Sequence, residues 1–234
     1  MTNLNTPPTL QLNNPRGIEG FVFDLDGTIV DSETLINRVS VRVFRELGWE
    51  TTAEELNANF RGTSSKEFLA GVRELSGLAL EGDWEEPFQH WYIEEFKNLE
   101  MIPGFDHVLG ATSTFPRAIA SNSDRERIKR SLNIVGLLQL FEGNIASVDD
   151  VEEGKPDPAV YLLGASIIGA NPSNCIAIED AYPGATAALA AGMHTFVYTK
   201  HQDLAEWHEN PKLRTFDSMF DLPDILQDFL NSTD

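Results

Sequence analysis

The sequence predicts an α/β protein: a doubly wound parallel sheet with helices on both faces and an α-helical insertion. Three observations predict it. A short stretch near the start, "IEGFVFDL" (18–25), has the length and the aromatic and aliphatic content of a buried strand. After residue 103, similar stretches alternate with helical patterns, the signature of parallel strands joined by crossover helices. Between the two regions, residues 35–102 hold helical patterns alone.

The first strand follows Pro15 and Gly17, and the residues before it, "MTNLNTPPTLQLNNPRG", lack both the basic start and the apolar run of a secretory signal, so 1–16 reads as a flexible tail. The core then comprises 17–34 and 103–234, with 35–102 as the insertion. Within the insertion, "INRVSVRVFRELG", "SSKEFLAGVRELSG" and "EPFQHWYIEEFKN" read as helices, and Pro103-Gly104 marks the return to the core. Further strands are expected at 115–121, 143–147, 175–180 and 194–199. Among the helices between them, Ile128, Leu132 and Val135 recur at helical spacing. Asp157 and Pro158 resemble an N-cap and first-turn proline, and "ATAALAAG" ends on a C-terminal glycine.

Composition narrows the function. Seventeen basic against 37 acidic residues give a net charge of −20, which repels nucleic acid and anionic membranes and demands a local reversal of potential at any site for an anion. A single cysteine, Cys175, excludes an internal disulfide and a two-cysteine metal site, and fits a cytoplasmic protein. It begins a strand, where a structural thiol is the default. The five histidines show no metal-ligand spacing, and "DRERIKR" (124–130) reads as an exposed helix face with compensating acids.

In an open parallel sheet, ligands bind beyond the carboxyl ends of the strands. The first strand ends in Asp24-Leu25-Asp26-Gly27-Thr28, the second in Ser121-Asn122-Ser123 and the fourth in Glu179-Asp180, while Lys155 precedes the helix leading to the fourth. Alone, Asp24 and Asp26 read more readily as turn and cap residues than as chemistry. The other strand ends shift that reading towards chemistry.

These stretches, "DLDGT", "ASNS", "GKPDP" and "IEDAYPGA", occur in the order of the four motifs of the haloacid dehalogenase superfamily, which the chain resembles over nearly its whole length after the tail. The helical insertion resembles the small cap of the subgroup containing β-phosphoglucomutase and the phosphoglycolate and sugar-phosphate phosphatases. The resemblance implies a Rossmann-like core and a Mg²⁺-dependent phosphatase that forms an aspartyl phosphate. Asp24 would be nucleophile and metal ligand, with the Asp26 backbone carbonyl, Asp180 and, directly or through water, Glu179 completing the metal site. Ser121, the Asn122 amide and Lys155 would hold phosphoryl oxygens, with Gly27 and Thr28 shaping the loop beside them. Asp26 would protonate the leaving alkoxide and then take a proton from the attacking water.

The chemistry is consistent on its own terms. A phosphate monoester repels a carboxylate nucleophile, so attack by Asp24 requires a cation, and an all-oxygen donor set suits a hard one. Lys155 and Mg²⁺ supply the reversal that the net charge demands.

Asp31 and Ser32 fit the N-cap of the first cap helix. In the cap, Arg61, Thr63, Ser64 and Lys66 stand where relatives contact substrate, although a solvated helix start accounts for them as well. The expected partner is a small phosphate ester, a sugar phosphate or phosphorylated sugar acid, and the default state is a monomer. A hexose-phosphate mutase is the alternative; against it, Ile36 and Ser65 stand where mutase sequences carry a histidine and an arginine. A silent binding protein on the same fold is the second alternative.

Overall fold

The computed structural model describes residues 11–60, 65–80, 85–199 and 210–232. The chain divides into two compact units, residues 1–30 with 101–234, and residues 31–100.

The first unit runs from β1 (Gly20–Phe23) to α5 (Phe105–Ala111), which follows the intervening helices α1 (Ser32–Glu46), α2 (Ala53–Phe60), α3 (Ser65–Ser76) and α4 (Glu85–Phe96). It continues through β2 (Arg117–Ser121), α6 (Arg125–Ile134), α7 (Leu138–Phe141), β3 (Ile145–Ser147), α8 (Ala159–Ile167) and β4 (Cys175–Glu179). It ends with α9 (Tyr182–Ala190), β5 (His194–Tyr198), β6 (Leu213–Phe216) and α10 (Leu222–Asn231). The strands form one parallel sheet in the order β3-β2-β1-β4-β5-β6. Strand order reverses between β1 and β4, which makes the crevice beyond their carboxyl ends the topological switch point of the sheet.

Pairs of adjacent residues on β1 show how both faces are covered. Phe21 and Phe23 stack with ring centroids 6.0 Å apart, and Phe115, Phe105 and Phe141 meet them edge-on. Val22 points to the other face, into a cluster with Val160, Tyr161, Ala165 and Ala187. There α8 lies close to the strand, since a Cβ on Gly164 would stand 2.9 Å from a Val22 methyl.

The N-terminal expectation needs correction, and two elements were not foreseen. Residues 11–16 are fixed rather than a tail: Leu12 is buried, the Asn13 amide donates to Gln227 at 2.8 Å, and Arg16 donates to the Ser232 carbonyl at 2.9 Å. Strand β6 was not foreseen, because "LRTF" at a sheet edge buries only Phe216 fully and carries no apolar run. Helix α2 was also missed, although Thr52 and Glu55 form a reciprocal capping box, each backbone amide donating to the other's side chain.

Among the described residues of the second unit, every regular element is a helix. Asp31 caps α1 by accepting from the Thr34 amide at 3.0 Å, and its own amide donates to the Glu100 carbonyl at 2.9 Å, so the unit begins at 31 and ends at 100 rather than spanning 35–102. Phe44, Trp49, Phe60 and Phe68 form its aromatic centre. Arg42 ties α1 to α4, pairing with Glu95 at 2.7 Å and lying 4.6 Å above the Trp91 ring.

Candidate active site

The sheet register places Phe23 beside Ile178, so the residues that follow β1 and β4 emerge side by side at the switch point. The Asp24 amide donates to the Ile178 carbonyl at 2.9 Å, extending the ladder by one residue. Beyond it the chain turns sharply: the Gly27 amide donates to Val30 at 2.8 Å, and the Ile29 and Val30 amides donate to Leu25. Gly27 has φ +85°, and a Cβ there would collide with the Asp180 carboxylate. Glycine is therefore required twice over, for the turn and for the approach of the acid.

The side chains converge on Lys155, whose buried ammonium donates to Asp24 Oδ1 and, at 2.6 Å, to Glu179 Oε1, with the Tyr161 ring 5.0 Å away. Lys155 is itself anchored by its backbone. The Asn122 side chain accepts from its amide at 2.8 Å and donates to its carbonyl at 3.1 Å, and the Lys155–Pro156 peptide is cis.

Glu179 is fully buried and both its oxygens are engaged. Oε1 also accepts from the Tyr161 hydroxyl at 2.7 Å, and Oε2 accepts from the Asp180 and Ala181 amides at 3.0 and 3.2 Å. It occupies the space that a Cβ on Gly184 would fill, which requires a glycine in the first turn of α9. Glu179 thus orients Lys155.

Asp24, Glu179 and Asp180 each bring a carboxylate oxygen within 4.8 Å of the others. Burial is the main force pushing the Asp24 carboxyl up to about 8; Lys155 opposes that rise and Glu179 adds to it. Burial followed by repulsion from Asp24 and Glu179 drives Asp180 well above the carboxylate range. Lys155 is held above its ordinary value by Asp24 and Glu179, against its own desolvation. One ammonium thus faces three gathered acids, and the Asp180 carboxylate has no hydrogen bond or ion pair among the described residues. The unmet charge and the all-oxygen donor set fit a hard divalent cation.

Asp26 lies beside this cluster and is held from the second strand end. Its Oδ2 accepts from the Ser123 hydroxyl and its Oδ1 from Arg127, both at 2.8 Å. Ser121 is buried at the end of β2 and accepts from the Ser123 amide at 3.0 Å. Thr28 differs from expectation: its buried hydroxyl makes no hydrogen bond among the described residues, so the backbone steadies the loop.

The structure therefore brings Asp24, Asp26, Gly27, Thr28, Ser121, Asn122, Lys155, Glu179 and Asp180 to one end of the sheet within the first unit. Arg61, Thr63 and Ser64 lie outside the described residues, and Lys66 is placed only as part of α3. Tyr161, Ser123, Arg127 and Gly184 were not singled out as site residues. Tyr161 lies on α8 and is fully buried. Arg127 is the exception in a run expected to face solvent with compensating acids, where Arg125 pairs with Asp150 and Lys129 with Glu126.

A parallel sheet carrying a carboxylate pair after its first strand, and a lysine and acids facing it across the switch point, defines a class of hydrolase. The chain belongs to the haloacid dehalogenase-like hydrolase family, whose sequence profile matches residues 21–198. It is 31% identical over 217 residues to the 6-phosphogluconate phosphatase of Escherichia coli strain K12, covering 89% of this chain and 94% of the relative. It is 31% identical over 199 residues to hexitol phosphatase A of the same strain, covering 82% and 88%. Among solved structures it is similar to a family hydrolase from Deinococcus radiodurans R1 with bound phosphate and sodium. The TM-score is 0.79 and the identity 28%, over 91% of this chain and 96% of that one.

Proposed function

We propose that this hydrolase is a Mg²⁺-dependent phosphatase of a small phosphorylated metabolite, with a sugar phosphate or phosphorylated sugar acid as substrate. The observation that carries the reading is the Asp24–Lys155–Glu179 arrangement with Asp180 alongside: a buried carboxylate, held by a cation, at the switch point of the sheet. The phosphatase relatives support the reaction class and the choice of sugar-type phosphates.

Asp24 attacks phosphorus, a bond from its carboxylate oxygen to phosphorus forms, and the bond to the ester oxygen breaks. Asp26 delivers the proton that the leaving alkoxide needs. Water then attacks the aspartyl phosphate, Asp26 takes its proton, and phosphate departs. The Ser121 and Thr28 hydroxyls, the Asn122 amide and the Lys155 ammonium face the phosphoryl oxygens, whose charge grows in the transition state. Asp24, Asp180 and the Asp26 carbonyl would hold Mg²⁺, which supplies charge neutralisation between carboxylate and phosphoryl group. Glu179 serves by fixing Lys155.

The test is phosphate release from a panel that includes 6-phosphogluconate, hexitol phosphates and fructose 1-phosphate, with Mg²⁺ and with EDTA. Release that needs Mg²⁺ and disappears in Asp24→Asn supports the reading; release undiminished in Asp24→Asn overturns it. Conversion of β-glucose 1-phosphate to glucose 6-phosphate without free phosphate would reveal a mutase. A chain that neither binds Mg²⁺ nor turns over any ester is a binding protein.

A further inference from the structure

Arg127 lies in the first turn of α6, where Arg125 pairs with Asp150 and Lys129 with Glu126, yet it reaches Asp26. Its placement is built rather than incidental. Asp124 caps α6 by accepting from the Arg127 amide itself at 2.8 Å, which sets that residue in the first turn. The loop before it is fixed by the Ser147 hydroxyl, which donates to the Ser123 carbonyl at 2.8 Å, and by the Ser123 amide, which donates to Ser121. From this frame Ser123 and Arg127 take one oxygen each of Asp26. The carboxylate is clamped at both ends, and its orientation is set by the second strand end rather than by its own loop.

We propose that Arg127, with Ser123, is the positioning residue for Asp26, holding its carboxylate where it receives the proton of water when the aspartyl phosphate is hydrolysed. This rests on the assignment of Asp26 as acid and base made above. The step balances: the water oxygen bonds to phosphorus, the bond from phosphorus to the Asp24 oxygen breaks, and one water proton passes to Asp26. Asp24 regains its carboxylate and inorganic phosphate leaves.

The experiment uses p-nitrophenyl phosphate, whose good leaving group needs no proton in the first step, and compares wild type with Arg127→Gln and Arg127→Lys. Arg125→Gln on the same helix is the control. For Arg127→Gln, kcat is expected to fall about tenfold while kcat/KM, which reports only the first half-reaction, stays within about twofold. Rapid mixing is then expected to show a burst of about one equivalent of p-nitrophenolate per site as phosphoenzyme accumulates, and acid quenching should trap the phosphate on Asp24. Arg127→Lys is expected to recover most of kcat, and Arg125→Gln to match wild type. Equal loss of kcat and kcat/KM without a burst overturns the proposal, because a merely structural role depresses both. An Arg127→Gln variant indistinguishable from wild type overturns it as well. A wild type that hydrolyses no phosphate ester defeats the reading beneath it, and the inference falls with that reading.

Discussion

Asp24 and Asp26 are two residues apart and each meets a cation, yet the two pairs are built differently. Lys155 and Asp24 are 5% and 10% exposed, whereas Arg127 and Asp26 are 29% and 27% exposed. The first pair is desolvated, so every charge in it must be matched and its geometry cannot relax. The second retains water access, which lets a carboxylate exchange protons with its surroundings. Asp24, the proposed nucleophile, is thus embedded in a desolvated cluster, and Asp26, the proposed proton carrier, sits in a wetter one. Gly27 and Gly184, where an added Cβ would collide with a carboxylate oxygen, both border the acids of the first cluster.

The largest effect should come from the buried cluster. Asp24→Asn is expected to lower kcat at least about a thousandfold, measured on whichever ester the wild type prefers. Lys155→Met leaves buried acids without their cation and should cost about 3–5 kcal/mol of stability in urea unfolding. If it costs under about 1 kcal/mol, the desolvated picture of the first pair is wrong.

A pH dependence follows from the raised acids. Between about 4 and 8, folded Asp24 holds a proton that the unfolded chain has released, so metal-free protein should lose stability as pH rises through that window. The raised Asp180 adds in the same direction. Urea midpoints in EDTA at several pH values check this: wild type should decline more steeply than Asp24→Asn, and Mg²⁺ should flatten the decline. An equal slope in the two proteins would contradict the direction assigned to Asp24.

Smaller effects should mark the periphery. Tyr161→Phe removes one donor to Glu179 and is expected to cost about 1–2 kcal/mol, with a modest loss of kcat. Arg125→Ala breaks a partly exposed pair with Asp150 and should change stability by about 1 kcal/mol or less. A cost for Arg125→Ala as large as that for Lys155→Met would erase the contrast between buried and exposed pairs.

The strands and the polar residues at their ends were legible because parallel strands are buried on both faces and read as unbroken apolar runs, as "GFVF" and "CIAIE" do. Helix α1 and its Asp31 cap were legible for a related reason, since caps and amphipathic spacing are local. Strand β6 was not, because an edge strand needs no such run.

By itself, the sequence determined the α/β class, the helical insertion and the set of acids, hydroxyls and lysine at the strand ends. These follow from hydrophobic period and local turn chemistry, which neighbouring residues settle among themselves. Only the tertiary structure decided which partner each charge takes. The sequence places Glu179 beside Asp180, and only folding surrounds it with Lys155, Tyr161 and two amides. Arg127 reads as one more surface cation, but the register of β1 against β2 and the cap of α6 bring it to Asp26 across 101 residues of chain. Charge pairing over such separations depends on where the backbone is carried, and that is set by the packing of the whole sheet.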